Sequence, residues 1–143
     1  MDAATKRIMR PALVVLAVPL AWVGFWATLA PRSFYDDFPG PSSWVSPLGP
    51  YDEHLVRDVG AFQLALLAVT LFAIVTLDRR VVQAALVATI VGGLPHLIYH
   101  LTTTGALSTR DNVLSLIGLA LPVVIAIVLL PRTRRATRDF LPS

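Results

Sequence analysis

Four stretches free of Asp, Glu, Lys and Arg, residues 11–31, 59–77, 81–101 and 112–131, limit what this chain can fold into. Each is about 20 residues long, enough for a helix to cross roughly 30 Å of hydrocarbon. Inside a bilayer only helices and closed barrels satisfy the backbone, and these runs lack the two-residue alternation of barrel strands. Charged residues make up 15% of the chain, against about 25% in an ordinary soluble domain. The expectation is a single all-α domain, an integral membrane four-helix bundle with helices over about residues 11–30, 53–77, 80–101 and 110–131.

Charge is sorted along the chain. The N-terminal segment, the turn Asp78-Arg79-Arg80 and the C-terminal tail together carry nine cations against three acids. The other two connections carry three cations against six acids. By the positive-inside rule both termini are cytoplasmic and the acidic connections face outward. This sorting explains the basic isoelectric point without a nucleic-acid partner. The chain has no cysteine, which excludes disulfides and thiolate metal sites. The first apolar run follows a basic start, as in a signal peptide. It is too long for a usual apolar region of such a peptide, and its best small-residue site precedes Pro31. It is therefore expected to stay as a membrane span.

Pro11 suits the first turn of helix one, and Pro19 is expected to bend it. The outer loop between helices one and two holds Pro31, Pro39, Pro41, Pro47 and Pro50, with Phe34, Tyr35, Phe38, Trp44 and Tyr51. Such a loop cannot be one long helix, and its rings are expected to fold back over the outer end of the bundle. They form either an aromatic belt at the interface or a lid. Gln63, the strongly polar residue deep in helix two, is expected to hydrogen-bond to a neighbouring helix.

The candidate site lies at the outer end. In Gly92-Gly93-Leu94-Pro95-His96-Leu97-Ile98-Tyr99-His100, His96 and His100 share a helical face, bordered by Tyr99. Pro95 frees the carbonyl of Val91, and the two glycines admit a close neighbour. Helix two opens with His54, Arg57 and Asp58 at the same end, and helix four with Asp111 and Asn112. His96 is expected to be the deepest histidine and to contact Asp58, directly or through one water or ligand group. His54, His96 and His100 have the ligand types of a zinc or copper site, and a haem would need His54 with one of the other two. A His–Asp pair could also do acid–base work. An amphipathic ligand such as a quinone, sterol or prenyl lipid is the other occupant considered. Its head would meet His96, Asp58 or Arg57 and its tail would lie beside Gly92 and Gly93. The bland alternative is that these groups bond to one another and to lipid headgroups.

With the arginine-then-glycine start His54-Leu55-Val56-Arg57-Asp58-Val59-Gly60-Ala61-Phe62 and the Gly92–His100 stretch, helices two to four resemble small bacterial four-helix membrane proteins of the broad DoxX-like type. The resemblance implies an architecture and an accessory role more than an activity. Two functions follow as expectations. One is binding of an amphipathic ligand or a partner membrane subunit through His54, Arg57, Asp58, His96, Tyr99 and His100. The other is a membrane enzyme or metalloprotein that uses His54, Asp58, His96 and His100.

Overall fold

The computed structural model describes residues 1–40 and 43–133. Five α-helices follow in order: α1 Ala3–Leu29, α2 Pro31–Asp37, α3 Glu53–Thr76, α4 Arg79–Thr102 and α5 Thr109–Leu129. Short 3-10 turns lie at Ser46–Leu48 and Leu130–Thr133. Helices α1, α3 and α4, and α5 with the turn that extends it, are long and apolar enough to cross a membrane. Each of the four opens on a side-chain cap that accepts from a first-turn backbone N–H: Asp2, Asp52, Asp78 and Ser108. Such caps satisfy donors that a helix start otherwise leaves bare.

Helix α1 begins at Ala3, well ahead of the expected residue 11, because Asp2 caps it at Thr5 N. Pro11 thus sits inside the helix and not in its first turn. At 1.5 Å per residue, its 27 residues rise about 40 Å, more than the hydrocarbon requires. The other three spans lie within two residues of expectation. Between α3 and α4 only Leu77 and Asp78 intervene. Leu77 takes the left-handed conformation (φ 47°, ψ 28°) that a helix end usually gives to glycine. Its side chain is buried, which holds it there.

Helix α1 packs along α3, α3 along α4, and α4 along α5, while α1 and α5 barely touch. Residue 1, the α3–α4 turn and Thr133 share one end of the bundle, here the terminal end; the opposite end is the loop end. Gln83 on α4 donates to Thr133 Oγ1 at 2.9 Å and ties α4 to the close of α5. The terminal half holds the main core, in which Met9, Leu13 and Leu16 meet Ala73, Leu77, Val82, Ala85, Leu86, Ala126 and Leu129. A second cluster at the loop end draws on α1, α2, α3 and the loop alone, around Ala27, Phe34 and Val56.

The closest helix approach is not at Gly92 and Gly93. It lies between α1 and α3, where a Cβ on Gly60 would come within 2.7 Å of Thr28 N and one on Gly24 within 3.2 Å of Leu64 N. Gly93 meets only the Val123 side chain of α5, and Gly92 faces open space. Gln63 makes no side-chain hydrogen bond among the described residues, since the bundle presents no polar group to its half-buried amide. The polar link between helices is Gln83 to Thr133 instead.

Candidate functional site

The loop end is roofed on one side. Pro31 starts α2 at its first turn, and Phe34 and Phe38, one turn apart, turn back onto Trp26 at ring-centroid distances of 6.1 and 5.9 Å. Trp22 stacks on Trp26, and Trp44 sets its edge on Phe38. Tyr35 donates its hydroxyl to the carbonyls of Ser46 and Gly49, closing the loop on itself. Arg32 pairs with Asp36 and lies over the Tyr51 ring at 4.9 Å. The rings therefore engage one another above α1 and α3 as well as facing the interface. The indole N–H of Trp44 is buried beside the Asp111 carboxylate at the head of α5, without a hydrogen bond of its own.

On α3 the polar groups are spoken for. Arg57 Nε donates to Glu53 Oε1 at 2.8 Å, and its Nη1 donates to the carbonyl of Thr28 at 2.6 Å. That carbonyl belongs to the last turn of α1, where four acceptors lack helical partners and the dipole favours a cation. No basic residue of α1 lies in its own last turn, so α3 supplies the charge. Gly60, one turn below Arg57, lets the two backbones close enough for that bond. This pairing of Arg57 with Gly60 was visible as a motif, but its structural purpose was not.

Asp58 meets His54, with Nδ1 3.3 Å from Oδ2 and both side chains well exposed. No direct hydrogen bond or ion pair joins His96 to Asp58, to which helical spacing gives a partner on its own helix. On α4, His96 and His100 lie with ring centroids 5.0 Å apart, and Tyr99 sets its edge on His100 at 5.6 Å. His96 lies one turn further from the loop end than His100, yet it is the less buried of the two. His100 is buried within the protein, whereas His96 and Tyr99 lie on its surface. No hydrogen bond, ion pair or ring contact among the described residues joins the α3 group to the α4 group. Nor do three metal-ligating side chains converge among them. The constellation of His54, His96 and His100 is therefore split between two helices rather than assembled.

Beyond mid-bundle, α4 and α5 bury nothing apolar. The residues they bury toward the loop end are polar, His100 and Ser115. Around them Val91, Leu94, Ile98, Leu114 and Ile117 face outward. Pro95 and Pro122 lie inside α4 and α5 and deprive the carbonyls of Val91 and Gly118 of their helical donors. Gly92 and Gly118 meet nothing across from them. The result is an open, mostly apolar flank with polar atoms at two levels: carbonyls at mid-depth, and His96, Tyr99 and His100 at the loop end. Two concavities lie away from this flank, a shallow apolar one along Val18, Trp22 and Phe25 of α1 and a notch at the terminal end.

Four helices, each capped at its start and long and apolar enough to cross a membrane, fit a small multi-pass α-helical protein in a lipid bilayer. Comparison with family models, curated proteins and solved structures gives no match. The likeness to DoxX-like proteins therefore rests on the quoted motifs alone.

Proposed function

We propose that the protein is a membrane-embedded binding protein, with both termini cytoplasmic, that holds an amphipathic, lipid-like molecule at its extracytoplasmic end. The observation that carries this reading is the open flank of α4 and α5, whose buried side chains in that half are the polar pair His100 and Ser115. His100 makes no side-chain hydrogen bond among the described residues, and its ring nitrogens are not sealed off from the surroundings. A hydroxyl or carbonyl head group would find a hydrogen-bond partner there. Its tail would run inward past Gly92 and Gly118, where no side chain fills the space. Asp58 and Arg57, already engaged on α3, act as supports and do not take the head group. A partner transmembrane subunit is the second reading, favoured by the absence of walls around the flank. Acid–base catalysis by a His96–Asp58 pair loses its geometric basis, since Asp58 pairs with His54.

The test is native mass spectrometry of the protein purified in mild detergent, with extraction of bound amphiphiles. Wild type should carry one, and His100→Ala should lose it. Gly92→Leu adds bulk where there is room and leaves the fold intact, and it should lose the ligand too. Equal retention by all three proteins sinks the proposal, and a protein subunit in place of the amphiphile supports the second reading.

A further inference from the structure

Charge is handled in opposite ways at the two ends. All three ion pairs among the described residues, Arg32–Asp36, His54–Asp58 and Arg57–Glu53, lie at the loop end. The terminal end carries Lys6, Arg7, Arg10, Arg79, Arg80 and Arg132 against two carboxylates, Asp2 and Asp78. Both carboxylates accept from backbone N–H groups as helix caps, Asp2 from Thr5 and Asp78 from Arg80 and Val81. None of the six cations has an ion pair among the described residues. Arg132 donates to the carbonyl of Val128 at 2.6 Å, which leaves its charge unneutralised. Five of the six are exposed and Arg79 is half-buried.

These cations stand on fixed elements. Lys6 and Arg10 share a face of α1 with Arg7 beside them, and Met9, fully buried in the core, sets the rotation of that turn. Val82, also fully buried, does the same for Arg79 and Arg80 on α4. Because α1 is longer than the hydrocarbon is thick, its first turns stand at the depth of the lipid phosphates. Membrane orientation needs only the sign of the charge, which a loose tail could supply. A helix-borne, unpaired array also fixes where the charges are, and charge-assisted hydrogen bonds to phosphate oxygens need that.

We infer that the terminal end of the bundle is a binding surface for anionic phospholipid headgroups, with Lys6, Arg7, Arg10, Arg79, Arg80 and Arg132 donating to phosphodiester oxygens. The inference is independent of any ligand at the loop end.

The experiment reconstitutes the full chain with equal phosphatidylglycerol and phosphatidylcholine and reads the lipids retained by native mass spectrometry. Wild type should favour the anionic lipid by about tenfold or more. The Lys6→Gln, Arg7→Gln, Arg10→Gln triple variant, altered only at exposed positions, should lose most of that preference. Arg32→Gln, at the other end, should keep it. Equal retention of the two lipids by wild type overturns the inference. So does a triple variant that keeps the preference, or an Arg32→Gln protein that loses it. Displacement of the lipid by inorganic phosphate would overturn the lipid assignment in favour of a soluble anion site.

Discussion

The terminal half and the loop half of this bundle are built from similar apolar helices and reach different ends. In the terminal half all four spans bury side chains against one another, from Met9 on α1 to Leu129 on α5. In the loop half α1 and α3 close tightly through Gly24 and Gly60 under an aromatic roof, while α4 and α5 leave their outer turns uncovered. Lipid tails are as apolar as leucine, so apolar content alone does not drive helices together in a bilayer; close packing and polar bonds do. The terminal half has both, and the α4–α5 side of the loop half has neither.

The comparison breaks most readily at the core. Leu86→Ala empties a fully buried position and should cost about 2 kcal/mol or more. Ile117→Ala, on the open flank, should stay within about 0.5 kcal/mol. Thermal unfolding in one detergent measures both, and equal losses would erase the distinction. At the glycines, Gly60→Leu should overpack against Thr28 and cost about 1–3 kcal/mol. Gly92→Ala should gain up to about 1 kcal/mol, because it adds helix propensity in open space. If Gly92→Ala destabilises, something covers that flank. A smaller effect belongs to Arg57→Gln, which removes the cation from the end of α1 and should lose about 0.3–1 kcal/mol. Faster amide exchange at the last turn of α1 should accompany it.

The smallest effect concerns pH at the terminal end. Hydrogen bonding to Thr5 holds the Asp2 carboxyl below its ordinary range. Its stabilisation of α1 is thus fully present above that range and lost as pH falls through the lowered value. Asp2→Asn, which still caps, should flatten this acid limb in a titration of helix stability. An unchanged limb would show that Asp2 does not contribute.

The spans of α3, α4 and α5 were legible because uncharged runs of this length have few other uses. The start of α1 was hidden by Pro11, since a first-turn proline reads more naturally than one in the third turn; Asp2 was the overlooked signal. Of the site, the shared face of His96 and His100 followed from spacing. A direct His96–Asp58 bond does not form, since spacing within α3 already offered Asp58 to His54. Nor does any local pattern tell that Arg57 reaches across to the carbonyl of Thr28, twenty-nine residues away in sequence. Arg134, Arg135 and Arg138, counted with the basic end, lie outside the described residues.

The turn at Leu77 and Asp78 has a consequence for biosynthesis. Two residues cannot let α3 and α4 part company, so the pair should enter the bilayer as one hairpin. Asp78, Arg79 and Arg80 at the tip make its passage through hydrocarbon costly. Lengthening this turn with a flexible insert would uncouple the two insertions, and glycosylation-site mapping of stalled chains would reveal a long-lived intermediate with α3 alone across the membrane.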